Sequence, residues 1–355
     1  MRHRLWIVPL VMVALLAAAH FAYWRSLVNG LQDGFAAFVS ARRAAGWTVR
    51  AGGVEIGGWP LSATLRVRDL ALEGGDPDLP GGLAWGAQTL DLRVDLLSPG
   101  VLNLAAGGPQ HLRFGTLPDI AYVAREMTAA LPLSSDGLPR AVRATVRDLA
   151  ASPAAGPSRG PVTMGLLQAD ATMDWSAPRD RPAVSVQIAA EAIGLPSGID
   201  WPLGSRISST SMEAAVTGPL PPPGPLARSA AAWRDGGGEL RVHRMALGWG
   251  PLGLSGSGTL ALDPGLQPSG TMQIRAVGFA DALDALAAAR VVAPGASTAA
   301  KAVLSLLAAP SEPGAPPVAD VPLVVQDGVL SLHQLPVWRV PPVAWPVVTR
   351  RTTGG

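Results

Sequence analysis

Cysteine is absent from the 355-residue chain, which removes disulfide cross-links, thiolate metal sites and cysteine nucleophiles. Lysine is nearly absent too. Lys301 is the only one and it follows Ala300, so no P-loop can be written here. Charged residues make up 15% of the chain, against about 25% in ordinary soluble proteins. The deficit persists to the C-terminus, so apolar surface must be hidden in a core, a groove or a partner. Lys and Arg number 28, Asp and Glu 26, for a formal net charge of +2. Basic residues do not cluster with aromatics as in a nucleic-acid footprint. The pairs Arg42-Arg43 and Arg350-Arg351 stand alone and read as solvated surface. The abundance of Ala, Gly, Pro and Arg reads as coding bias, so single alanines or arginines carry little information.

Against that background one long apolar run stands out. Residues 5–24 are uninterrupted by charge and follow Arg2 and Arg4. A helix of about 20 residues at 1.5 Å each spans the ~30 Å of a bilayer's hydrocarbon. Pro9 falls in the first turns, and Tyr23 and Trp24 fall where aromatic side chains favour the interface. A cleaved signal peptide is the rival reading, with Ala17-Ala18-Ala19 as its processing site. The retained anchor is preferred because the apolar run continues past those alanines. Arg25, Arg42 and Arg43 nearly balance the N-terminal arginines. Orientation therefore rests on the export-like layout, N-terminus inside and the bulk outside. Beyond Trp24, Leu27, Leu31, Phe35, Phe38 and Val39 recur at helical steps. They predict a stalk that continues to about Arg43, ends at Gly46 and packs on the domain behind it.

From Trp47 the period changes from helical to alternating. Residues 90–96 set four aliphatics against three charges, one face apolar and the other wet. Similar segments recur at 141–149, 164–175, 183–190, 208–217, 238–247, 252–262, 269–277 and 321–332, separated by Gly and Pro. Asp263-Pro264-Gly265 reads as a turn in which glycine supplies the positive φ. Residues 279–292 and 297–308 carry helical spacing and form a hairpin divided by Pro294-Gly295; 118–131 is a third possible helix. Residues 218–225 and 309–317 are proline-rich connections. The expected fold is mainly β with α: a transmembrane helix and helical stalk, then an elongated, curved antiparallel sheet, groove-like or sandwich-like, with a small helical hairpin near 279–308. The divisions are 1–24 for the anchor and its tail, 25–46 for the stalk, 47–349 for one β-rich domain and 350–355 for a tail.

Chemistry is hard to find. His3, His20, His111, His243 and His333 are never closer than seventeen positions, so no helical zinc pair exists. Residues 253–258 (GLSGSG) are not a nucleophile elbow, because Ser257 stands where that motif needs glycine. Nor are they a dinucleotide loop, because Thr259 to Leu262 continue a strand. Glycines that let backbones approach are the better reading. The eleven tryptophans plug sheet ends and turns, or face an interface or ligand. No catalytic, cofactor-binding or metal-ligating residue is assigned, and the chain is not expected to be an enzyme.

Three stretches carry a resemblance: the anchor and helix with Gly46-Trp47 and Gly58-Trp59-Pro60; Gly238 to Val242 with Leu252 to Leu260; and Val321-Pro322-Leu323 with Asp327 to Leu330 and Pro341-Pro342. Over nearly its whole length the chain resembles the uncharacterised bacterial family called domain of unknown function 2125. Its second stretch is also similar to the AsmA-like class of envelope proteins. The resemblance implies a single-pass inner-membrane protein of the cell envelope, its bulk in the periplasm, and AsmA-like proteins are linked to lipid transport. The expected partners are inner-membrane lipids, an acyl lipid ligand and envelope proteins, with no nucleic acid. The alternative is a structural or scaffolding protein with a closed core.

Overall fold

The computed structural model describes residues 7–75, 82–115, 117–134, 139–154, 160–178, 181–218, 220–221, 226–309, 316–332, 335–343 and 345. The expectations for His3, His333, the 350–355 tail and most of the two proline-rich connections lie outside the described residues.

Helix α1 (Ile7–Ala44) is continuous, so the apolar run and its extension form one rod of 38 residues, about 57 Å long. From Leu10 to Tyr23 every residue is exposed, and from Trp24 one face is covered. Val28, at 1% exposure, is its most enclosed side chain, with Leu31, Phe35 and Val39 on the same face. Phe38, expected on that face, is 40% exposed and lies under the Arg42 guanidinium instead. Gly46 turns left-handed at φ +84°, and Trp47 N–H returns to the Arg42 carbonyl, which stops the helix.

A meander follows: β1 (Thr48–Arg50), β2 (Gly53–Gly57), β3 (Ser62–Gly74), β4 (Leu83–Asp95), β5 (Ser98–Phe114), β6 (Ile120–Pro132), β7 (Ala141–Pro153), β8 (Val162–Met173), β9 (Pro182–Gly194) and β10 (Arg206–Thr217). Helix α2 (Leu226–Asp235) interrupts before β11 (Leu240–Trp249), β12 (Leu252–Leu262) and β13 (Pro268–Val277). The hairpin α3 (Phe279–Ala288) and α4 (Pro294–Leu307) leads to β14 (Ala308–Ala309), β15 (Val318–Gln326), β16 (Val329–Leu332) and β17 (Leu335–Arg339). All pairings are antiparallel and almost all join chain neighbours. β1 and β2 share one edge of β3, and β15 follows β13 directly. Among the described residues no ladder joins β17 back to β1 or β2, so one open sheet of 17 strands results.

Several elements differ from the sequence reading. Residues 118–131 are not helical: β6 pairs with both neighbours, and two ladders override the helical preference of its alanines. Residues 321–332 form two strands, because Asp327 and Gly328 turn at φ +53° and +70°. In the 263–267 turn it is Leu266, at φ +58°, that is left-handed, while Asp263 accepts from the Gln267 N–H. Pro294 opens α4 rather than separating the two helices, as proline does at a first helical position. β5 and α2 have no counterpart in that reading.

A line of ladder breaks crosses the first half of the sheet. The pairings pass over Asp69 in β3, Gln88 in β4, and Arg125, Asp148, Gly165, Ala192 and Ser208 in β6 to β10. At each of Arg68-Asp69, Arg125-Glu126 and Arg147-Asp148 two consecutive side chains are exposed, and alternation then resumes. Asp69 and Asp148 hold φ near +50° there. From β3 to β4 and from β6 to β10 one residue is passed over on both partners, so the register carries across each break unchanged while the alternation slips by one.

Two clusters of buried side chains lie at the two ends. Val49, Val67 and Leu70 form one core with Phe35 and Val39 of α1 and Trp85 of β4. Ala276, Phe279, Ala319 and Val321 form the other, with Leu304 of α4. The accessible surface is 21983 Å², against about 13,500 Å² for a compact monomer of this mass.

Candidate functional site

Residues directly opposite each other in an antiparallel pair project from the same face. One row can therefore be followed strand by strand. It runs Leu65, Leu92, Leu104, Ala129, Ala144 and Ala169 from β3 to β8. It continues Ile188, Met212, Met245, Gly256, Ile274 and Val321 to β15. All twelve are apolar. Twelve strands about 4.8 Å apart give a row of roughly 50 Å.

The row is covered only at its ends. Leu65 is 1% exposed and Val321 8%, under the first and last helices. Between them Leu104, Ala129, Ala144, Ala169 and Ile188 are half-buried, and Met212 is 41% exposed. No helix among the described residues packs on β5 to β9. The three central alanines recess the face there, because a methyl group stands off the backbone less than a leucine side chain. Further along the strands the same face carries Trp85 and Tyr122, whose hydroxyl accepts the indole N–H at 2.8 Å. Burial lifts the Tyr122 phenol above its ordinary value of 10.0, opposed by that hydrogen bond.

The neighbouring row projects from the other face and begins Arg66, Asp91, Ala105, Thr128, Thr145 and Gln168. Charges pair across strands on this face: Arg66 makes two bonds of 2.7 Å to Asp91, and Arg275 meets Asp320 at 3.0 Å. Such exposed pairs are worth at most about 1 kcal/mol each and serve solubility and register. A concavity of about 850 Å³ lies on this polar face between Arg66, Asp91, Arg93, Asn103 and Arg143. Arg66 and Arg93 there are already engaged by Asp91 and Asp95.

The three described histidines do not converge. His20 contacts the Pro60 carbonyl at 2.8 Å, His111 lies over Gly86, and His243 is exposed on β11. Among the described residues no group of three His, Asp or Glu side chains is placed to hold a metal ion. Gly256 and Gly258 lie within β12, where an added Cβ would sit 2.4 and 2.5 Å from the Gln273 and Thr271 carbonyls of β13. These glycines permit close strand approach on the apolar face. Four tryptophan N–H groups are satisfied at turns and sheet ends: Trp201 by Pro196, Trp233 by Thr217, Trp249 by Gly204 and Trp345 by Leu266. The apolar row itself needed strand register, which alternation within single strands does not supply.

Residues 24–341 match a bacterial family described as "Uncharacterized protein conserved in bacteria (DUF2125)". The chain belongs to this family. The matched region begins at Trp24, where α1 first meets the sheet, and takes in the whole apolar row. No curated protein and no solved structure matches the chain. The family is uncharacterised, so it adds no site residue. Helix α1, of which residues 7–23 precede the matched region, is long and apolar enough to cross a membrane.

Proposed function

We propose that this family member is an inner-membrane-anchored envelope protein whose sheet holds lipid acyl chains on its apolar face, in lipid transport or envelope maintenance and without catalysis. The observation that carries this reading is the twelve-residue apolar row, buried at both ends and open between. Half of a ~30 Å hydrocarbon core is about 15 Å, so a row of roughly 50 Å can shelter more than one chain. Open apolar surface of this extent marks a binding surface in a soluble domain. An N-terminal cytoplasmic tail and a periplasmic sheet follow from the layout of a short basic segment, an apolar span and a large domain.

The test is lipid analysis of the full-length protein extracted in detergent. Acyl lipid should co-purify, and Ile188→Glu on the apolar face should abolish it while Gln187→Glu on the polar face should not. A folded wild-type protein that carries and photocrosslinks no lipid overturns the reading. The edge of β17 that no described strand pairs with, where Trp338 is 60% exposed, favours a second reading as a scaffold for envelope proteins. In-cell crosslinking that captures a protein along this edge, with no lipid on the sheet, decides for it.

A further inference from the structure

Two turns meet α1 where its apolar run ends. In the first, residues 58–61 join β2 to β3, with Trp59 48% and Leu61 74% exposed. In the second, Leu96 and Leu97 join β4 to β5, and Leu97 is 97% exposed. The Leu96 N–H donates to the Leu61 carbonyl at 3.1 Å, so the turns form one unit. Trp59 packs edge-on against His20, Phe21 and Trp24, with ring centroids 5.0 to 5.5 Å apart. The Tyr23 hydroxyl donates to the Leu96 carbonyl at 3.3 Å.

Two-residue hairpin turns normally carry Asn, Asp or Gly. In the second turn both positions are leucine, and neither has the positive φ of the common hairpin turns. Leu61 and Leu97 stand open to the surroundings, so their apolarity does not serve the fold. The helix supplies the depth. A span of about 20 residues starting at Leu5 reaches Trp24, and the first charge beyond it is Arg25. Residues 20–24, which the turns touch, are therefore its last helical turn, where Tyr and Trp belong at the bilayer interface. The nearest charges at the second turn, Arg93 and Asp95, neutralise each other at 2.7 Å.

We infer that the turns at 58–61 and 95–98 insert into the membrane interface, with Trp59, Leu61 and Leu97 in contact with lipid. This rests on the reading of α1 as a membrane span. The rim of the sheet then stands in the lipid, and the apolar face begins there. An acyl chain moves between bilayer and sheet without crossing water.

The absence of cysteine allows single labels in the full chain. Leu61→Cys and Leu97→Cys, each carrying an environment-sensitive fluorophore, are reconstituted in phosphatidylethanolamine and phosphatidylglycerol vesicles with and without brominated acyl chains. Leu15→Cys in the span and Leu306→Cys, 86% exposed on α4, are the references. Blue-shifted emission and quenching by bromine at positions 61 and 97, near the level at 15, support the inference. Unquenched labels at 61 and 97 beside a quenched label at 15 overturn it and leave the anchor standing. An unquenched label at 15 overturns the span and the insertion together. Both turn side chains are exposed, so these substitutions leave the fold intact.

Discussion

Trp24 donates its indole N–H to the carbonyl of Ser62 at 2.8 Å, tying the last turn of the apolar run to the first residue of β3. The bond sets the depth of the sheet relative to the helix. Trp24→Phe keeps most of the packing and deletes the donor. A cost of about 1 kcal/mol is expected, read as a fall of roughly 2 °C in the melting temperature of the detergent-solubilised protein. An unchanged melting temperature would show that helix and sheet are held by packing alone.

Leu65 and Leu104 lie in one apolar row, the first 1% exposed and the second half-buried. Leu65→Ala opens a cavity in a closed core and should cost about 3 kcal/mol. Leu104→Ala should cost about 1 kcal/mol, since its site is already partly open, yet should reduce bound lipid more than Leu65→Ala does. Denaturant titration and lipid quantification on both variants separate the two roles. Equal stability losses would mean that the centre of the sheet is closed.

The Trp85–Tyr122 pair gives a pH signature. Burial raises the Tyr122 phenol above 10.0 in the folded protein, so the unfolded chain ionises first. Its contribution is therefore complete below about pH 10 and is lost as pH climbs through the folded value. Tyr122→Phe strands the Trp85 N–H and should lower stability by about 1 kcal/mol at neutral pH. The gap to wild type should narrow above pH 10. A gap that widens with pH would contradict the direction of the shift.

Strand β12 offers an internal comparison among glycines. A Cβ at Gly256 would lie 2.4 Å from the Gln273 carbonyl, whereas one at Gly253 would find nothing nearer than 3.8 Å. Gly256→Ala should destabilise by about 1–3 kcal/mol. Gly253→Ala should be nearly neutral or slightly stabilising. Matched unfolding curves for the two variants check this, and equal effects would remove the case for close approach.

Much of the fold was legible because one-sided strands alternate visibly, as residues 90–96 do, and because α1 is long and helically periodic. β6 was misread because Ala124, Ala129 and Ala130 suit either element, and only its two partner strands decide between them. β5 lacked a signal because Gly100, Gly107, Gly108 and Pro109 read as breaks, although they lie inside a 17-residue strand. The ladder breaks did have one: Val-Arg-Asp-Leu occurs at 67–70 and again at 146–149, each time with the aspartate left-handed. Two charges between two aliphatics mark the place where alternation slips by one. The apolar row was invisible for a different reason. It is a relationship among twelve strands, and no window of sequence contains it.

The neighbour-to-neighbour meander has a consequence for how such a molecule changes over evolutionary time. Each central strand depends only on the strand before it and the strand after it, as repeats in a solenoid do. Inserting or deleting one hairpin preserves strand direction and leaves the apolar residues on the same side. The row would lengthen or shorten by about 10 Å per hairpin, while both capping ends keep their cores. The reach of the apolar face is thus an adjustable dimension, graded in steps of two strands and independent of how the ends are anchored.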